Sequence, residues 1–193
     1  MKHLSGVLIF FLFASVDAAL LDRGDGFIYD TVLDVTWTQD ANINGLDSWD
    51  NQMAWADGLS LVHNGIAYDD WRLPTALNGD GSGPCAGYLC TGSEIGSLFY
   101  GTLGNADGIP FSNAGPFVNL QSYVYWLGTE SASDPATTAW NFSFDNGYQS
   151  HFNNSSLYHA IAVRDGDIVP IPATVWLFGS ALGLLGWMRR KSA

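Results

Sequence analysis

The chain has 193 residues, and its 19 acidic against 7 basic residues give a formal net charge of −12. The imbalance is larger between residues 20 and 168, where eighteen carboxylates face three guanidinium groups and no lysine, a formal charge of −15. This stretch is long enough for one ordinary domain. Its charge repels nucleic acid and anionic lipid, which excludes nucleic-acid binding, and it suits a soluble extracellular surface.

The N-terminal residues have the pattern of a secretory signal peptide. Lys2 and His3 precede an apolar run at 7–14 that is too short to span a membrane, and small residues at 16–18 offer a cleavage site. We therefore expect a signal peptidase to remove residues 1–18 as the chain crosses the inner membrane. The alternative is a buried N-terminal strand.

Two helices and six strands are predicted between the termini. Ser48 is a candidate N-cap for a helix that runs to about Val62, and Ser93 for a second helix whose apolar positions reach Leu103. The dipeptide Asn146-Gly147 predicts a type I′ hairpin. Helices followed by a run of strands favour an α+β domain over 20–168 with a small antiparallel sheet. The predicted strands are 27–29, 32–38, 123–130, 137–144, 148–152 and 157–164.

The loop at 78–92 carries two local patterns. Cys85 and Cys90 predict a local disulfide in an oxidising compartment, the alternative being a catalytic or metal-bound thiol. Residues 78–83 have the spacing that begins a calcium loop, but the twelfth position is Leu89 rather than Glu, which favours a plain loop. No metal site or cofactor is predicted, with calcium as the alternative.

Arginine is so scarce in this acidic domain that each guanidinium group is expected to meet a carboxylate. We predict structural roles for Trp71, Arg72 and Arg164, with Arg72 paired to Asp69 or Asp70. A ligand-binding Arg72 is the alternative.

A ligand-binding surface is expected in place of a catalytic centre, and no catalytic residue is predicted. An acid–base pair of Glu94 and Glu130, as in a glycosidase, is the alternative. The predicted ligand-binding side chains are Trp126, Glu130, Trp140 and Tyr148, with Tyr123 and Tyr158 as further rings that could stack on a sugar. The alternative for most of these rings is a place in the core.

The C-terminal segment has three parts in order. A short Pro-x-Pro motif opens it, residues 169–188 carry no charge, and a basic cluster follows at once. Twenty residues make about 30 Å of helix, the thickness of a bilayer's hydrocarbon core, so a transmembrane helix with a cytoplasmic basic stop is expected. The motif is Val169, Pro170, Ile171, Pro172 and Ala173, and the basic stop is Arg189, Arg190 and Lys191.

Several short motifs resemble, in order, the bacterial domain of unknown function found in the C-terminal region of the Lcl adhesin. The resemblance covers nearly all of 20–168 and implies a loop-rich fold like that of C-type lectins and of formylglycine-generating (sulfatase-modifying) enzymes. The motifs are Trp37-Thr-Gln-Asp-Ala-Asn, Asp70-Trp-Arg-Leu-Pro-Thr, Ser93-Glu-Ile-Gly, Tyr125-Trp-Leu-Gly-Thr-Glu and Ala162-Val-Arg-Asp-Gly.

The tail resembles the PEP-CTERM sorting signal in its Val-Pro-Leu-Pro-Ala variant, with Ile171 in place of the commoner Leu. This resemblance implies processing by an exosortase, a membrane protease-transpeptidase of Gram-negative bacteria that make extracellular polysaccharide. Both prolines resist helix and would hold an extended peptide for such an enzyme. The alternative is a plain C-terminal anchor.

The two resemblances together imply a non-enzymatic surface or matrix protein. We expect a membrane-anchored precursor that is processed by signal peptidase and exosortase and ends at the cell surface or in a biofilm matrix, where it binds extracellular polysaccharide. A passive structural matrix protein and a carboxylate-dependent hydrolase are the alternatives.

Overall fold

The structure, a computed structural model, describes residues 20–168 and is mostly β. The predicted α+β class is therefore wrong: the described residues form three antiparallel sheets and only two short helices. The strands are β1 Leu20–Gly24, β2 Phe27–Asp30, β3 Val35–Thr38, β4 Leu61–His63, β5 Ile66–Tyr68, β6 Val124–Glu130, β7 Thr138–Ser143, β8 Gln149–Asn153 and β9 Val163–Asp165.

The predicted signal peptide and the whole sorting tail lie outside the described residues, and so does the predicted transmembrane helix at 169–188. Between residues 20 and 168, no helix is both long enough and apolar enough to cross a membrane.

The first sheet joins the two ends of the described chain. Its strand order is β1-β2-β3-β9, and Trp37 of β3 lies opposite Val163 of β9. A single strand was predicted for 157–164, but only its last residues belong to β9. The preceding residues instead make isolated bridges, Tyr158 to Asp47 and His159 to Tyr125.

The third sheet has the strand order β6-β7-β8 and contains the predicted hairpin between β7 and β8. The turn between β7 and β8 contains Asn146-Gly147 as predicted, but it is not type I′, because Gly147 has φ +78° whereas Asn146 does not have positive φ. A two-residue loop with positive φ at both positions joins β4 to β5 instead, at Asn64 (φ +50°) and Gly65 (φ +78°).

Both helices are shorter than predicted. Helix α1 is Trp49–Asp57, with Ser48 at its N-cap position and Gly58 at its C-cap, and the residues beyond turn into β4. The apolar spacing at Leu59 and Val62 was therefore misread as helix. Helix α2 is Glu94–Gly96 and continues as the π-helix Ser97–Thr102. The Ser93 hydroxyl accepts from Gly96 N at 3.1 Å and caps this helix as predicted.

Two clusters of buried side chains fill the interior. The first lies between the sheets and α2 and includes Trp37, Phe99, Tyr125, Phe142 and Phe144. The second packs α1 against β6 and contains Phe27, Trp49, Trp71, Leu73 and Trp126. Within the described residues, many aromatic side chains are therefore buried in the core, and the exposed rings differ from them.

Candidate functional site

Two of the four predicted ligand-binding side chains are buried. Trp126 has no exposed surface, its Nε1 donates to the Asp47 carbonyl at 3.2 Å, and its ring lies 4.7 Å from that of Tyr158. Trp140 packs edge-on against His151 on β8. Neither indole offers a face to a ligand, because each is covered by neighbouring elements.

The other two, Glu130 and Tyr148, are exposed but lie at opposite ends of the third sheet. Glu130 ends β6, while the Tyr148 carbonyl accepts from Ser143 N, at the far end of β7. Tyr148 packs edge-on against Tyr88 at 4.9 Å, beside the disulfide loop. The four predicted residues therefore do not share one site.

A different set of exposed rings does form one surface. Tyr158 lies between Tyr123 and Phe152, with ring centroids 6.2 Å and 6.3 Å away. Tyr123 is 46% exposed and Phe152 is 55% exposed, while Tyr158 is half-buried. We call these three rings the aromatic patch. Tyr123 and Tyr158 were among the further rings that the sequence suggested, and Phe152 was missed.

The sequence around Phe152 indicates that its ring is exposed. It is the only large apolar residue in Gln149–Asn153, an otherwise polar strand. A lone aromatic ring in a polar strand has no core to join, so it marks an exposed surface. Its position beside Tyr158 depends on the fold and could not be read from the strand itself.

The backbone on both sides of Tyr158 fixes the centre of the aromatic patch. Asp47 N donates to the Tyr158 carbonyl at 3.1 Å, and Tyr158 N donates to the Asp47 carbonyl at 3.0 Å. The Gln52 amide donates to the same Tyr158 carbonyl at 3.0 Å. On the other side, His159 N donates to Val124 O at 3.1 Å. The central ring is therefore presented by fixed backbone, with buried Trp126 beneath it.

His159 lies behind the aromatic patch and is uncharged at neutral pH. Its ring lies 5.7 Å from that of Tyr123, and its Nδ1 is 2.7 Å from the Asn42 side-chain oxygen. Burial lowers the pKa of His159 below its ordinary value, opposed by a hydrogen bond to the Gly45 carbonyl. The patch consequently gains no positive charge from this imidazole.

Polar side chains near the aromatic patch are held by neutral partners. Asp40 accepts from Asn42 N at 2.9 Å and from the Asn119 amide at 3.0 Å. Asp145 accepts from the hydroxyl of Ser122, the residue before Tyr123, at 3.3 Å. Of these groups, Asp145 lies beside Tyr123 and is a suitable partner for the hydroxyl or amino groups of a ligand lying on the rings.

The three arginines of the described domain have structural contacts. Arg72 makes a bidentate pair with Glu94 at 2.7 and 2.8 Å and also reaches Asp165 at 2.6 Å. Arg164 pairs with Asp70 at 2.7 and 2.9 Å. The predicted pairing of Arg72 with Asp69 or Asp70 was therefore wrong. Arg72 pairs with Glu94 of α2, and Asp70 pairs with Arg164.

These contacts shift the pKa values of the groups involved. The hydrogen bonds that Arg72 donates to Glu94 are the largest cause of a raised pKa of Arg72, against the effect of burial. The hydrogen bonds from Arg164 lower the pKa of Asp70. Trp71 is buried and donates to the Tyr68 carbonyl at 3.0 Å. Trp71, Arg72 and Arg164 thus hold the 69–73 segment against β9 and the start of α2.

The predicted acid–base pair does not have two free carboxylates. Besides its bonds to Arg72, Glu94 accepts from Thr75 N at 2.7 Å, so both of its oxygens are engaged. Glu130 stands exposed at the end of β6. Glu94 serves here as an anchor for the 72–75 segment.

Cys85 and Cys90 form the predicted disulfide. The loop it closes pairs with the start of β8: Gly87 and Gln149 exchange two backbone hydrogen bonds at 2.8 and 2.9 Å. The buried Gln149 amide also donates to Cys85 O at 2.8 Å. The loop with the calcium-like spacing lies nearby, and in it Asp80 accepts from the Ser82 N–H and hydroxyl. Among residues 20–168, no group of three or more His, Cys, Asp or Glu side chains is placed to hold a metal ion.

No protein-family model and no curated protein matches this sequence. The geometry of the site is accordingly the basis on which a function can be argued.

Proposed function

We propose that the chain is an exported, non-catalytic binding module for extracellular polysaccharide, which it holds on the aromatic patch. The observation that carries this proposal is the run of three neighbouring rings, two of them about half exposed, on a soluble, acidic surface. Exposed large apolar groups cost solubility, so a contiguous set of them indicates a binding surface.

Sugar rings are suitable ligands for such a surface. Their C–H faces pack on tyrosine and phenylalanine rings, while their hydroxyl groups require hydrogen-bond partners at the edge. Asp145 supplies such a group beside Tyr123, where it accepts from the Ser122 hydroxyl. The engagement of Glu94 by Arg72 and Thr75 supports a binding role over a hydrolytic one.

Binding is tested with the full chain, purified in a non-ionic detergent, and a panel of neutral, cationic and anionic polysaccharides. We expect Tyr123→Ala to weaken binding by about tenfold, the effect of roughly 1.4 kcal/mol in lost ring contact. Tyr88→Ala is the matched control, because Tyr88 is also a 46% exposed tyrosine but lies away from the patch. Equal affinity of all three proteins, or no binding to any polymer, would contradict the proposal.

We further propose that the tail directs export-linked processing by an exosortase, followed by display at the cell surface or release into the matrix. The support is the Pro-x-Pro motif, the uncharged run and the basic cluster in the sequence. The resemblance to PEP-CTERM signals supplies the enzyme class.

Replacing Pro170 and Pro172 with Ala should leave the chain at its precursor mass, because the extended motif is lost. The measurement is the intact mass of the protein recovered from cells and from culture medium. Ile171→Leu is the control and should be processed normally. An unchanged mature mass in the double variant would show that the tail is not a processing signal.

A further inference from the structure

The aromatic patch lies in a part of the domain that has no free cation. No lysine occurs between residues 20 and 168, and each of the three arginines there is bound to carboxylates at or beside β9. Arg72 reaches Asp165 of β9, Arg164 belongs to β9 itself, and Arg23 donates to Asp167 at 3.0 Å. In the described chain no guanidinium or ammonium group is left to meet an anionic sugar at the patch.

The carboxylates near the patch, in contrast, are not neutralised. Within the described residues, Asp40 accepts only from the Asn42 N–H and the Asn119 amide, and Asp145 from the Ser122 hydroxyl. Neutral donors of this kind leave a full negative charge in place. The burial that lowers the pKa of His159 keeps that side chain from compensating them at neutral pH. The local field therefore favours cations and disfavours anions.

The aromatic rings also favour cationic groups. Tyrosine and phenylalanine faces attract an ammonium group through the negative charge of the ring face. Tyr123 and Phe152 present such faces on either side of Tyr158. A sugar polymer that carries both an apolar ring face and a protonated amine would satisfy the rings and the carboxylates together.

Resting on the proposed function, we infer that the polysaccharide held by the aromatic patch is an aminosugar polymer with free, protonated amino groups, such as non-acetylated glucosamine residues. The sugar rings would stack on Tyr123 and Phe152, and an ammonium group would meet Asp145, which lies beside Tyr123. N-acetylation removes the charge without removing the sugar ring, and a uronic acid reverses the charge. The three polymer classes therefore separate ring stacking from charge recognition.

The test compares three hexasaccharides on the full chain in detergent, in mildly acidic buffer where the amines are protonated: glucosamine, N-acetylglucosamine and mannuronate. We expect the glucosamine hexamer to bind about tenfold tighter than the acetylated one, and mannuronate not to bind. Tyr123→Ala should weaken glucosamine binding by about fivefold or more, and Tyr88→Ala by less than about twofold. Asp145→Asn should reduce the preference for the amine.

Each contrary result has its own meaning. Equal binding of the acetylated and free-amine hexamers through Tyr123 would overturn the amine inference and leave the proposed function standing. Glucosamine binding that Tyr123→Ala does not alter would reveal attraction to overall negative charge and would also overturn the inference. Failure of all three hexamers and of every polymer in the wider panel would overturn the proposed function itself.

Discussion

At the scale of single residues, the molecule separates its charged groups into two kinds. The arginines and their carboxylate partners fix the chain: Arg72 joins the segment before Thr75 to α2 and β9 through Glu94 and Asp165. Asp40 and Asp145 have only neutral partners among the described residues, and Asp145 is exposed beside Tyr123. The two glutamates of the chain illustrate the difference, since Glu94 is enclosed by its partners and Glu130 is exposed.

Glu94→Gln should destabilise the fold, because the amide cannot accept two charge-assisted hydrogen bonds from Arg72 together with one from Thr75 N. The side chain of Arg72 is 38% exposed, so solvent screening reduces the loss, and we expect about 1–2 kcal/mol. The measurement is the urea midpoint of unfolding. Glu130→Gln is the matched control and should change stability by less than about 0.5 kcal/mol. Equal effects of the two substitutions would show that the Arg72 pair does not stabilise the domain.

At the scale of elements, one hairpin between neighbours in sequence was predicted, whereas the β4–β5 hairpin and the contacts across the chain were not. The β7–β8 hairpin follows from two strand-like segments on either side of Asn146-Gly147. By contrast, β9 pairs with β3, and no sequence pattern near Trp37 or near Val163 predicts this pairing. Residues 157–162 have the composition of a continuous strand, but their backbone groups bond to two different segments. Tyr158 pairs with Asp47, and His159 N donates to Val124 O.

The same limit explains the outcome for the site. The sequence places Trp126 and Trp140 among the possible sugar-stacking rings, with a place in the core as the alternative. Only the packing of α1 on β6 decides that Trp126 is buried. Tyr123 and Phe152 belong to different strand ends and become neighbours of Tyr158 through the Asp47 bridge. Because this bridge joins residues that are distant in sequence, no local pattern predicts it. The disulfide joins Cys85 and Cys90, which are close in sequence, and their spacing was enough to predict it.

At the scale of the whole molecule, the charge is unevenly compensated. The described domain has eighteen carboxylates, and its three guanidinium groups are all placed at or beside β9. Most of the carboxylates have no cationic partner among the described residues, and this excess of negative charge repels other copies. Repulsion among these carboxylates opposes the compact state, while the three arginine pairs favour it. Salt screens both effects, so their balance can be measured.

We expect the repulsion to dominate, because most carboxylates have no cationic partner among the described residues. Raising sodium chloride from low to physiological concentration should then stabilise the domain by about 1 kcal/mol, a rise in melting temperature of roughly 2–4 °C. Asp57→Asn with Asp107→Asn removes two exposed charges, and Asp57 lies in the last turn of α1, where a negative charge opposes the helix dipole. This variant should melt higher at low salt and respond less to added salt. A melting temperature that falls with salt in the unaltered chain would mean that the arginine pairs outweigh the repulsion, and the acidic surface would then carry no cost in stability.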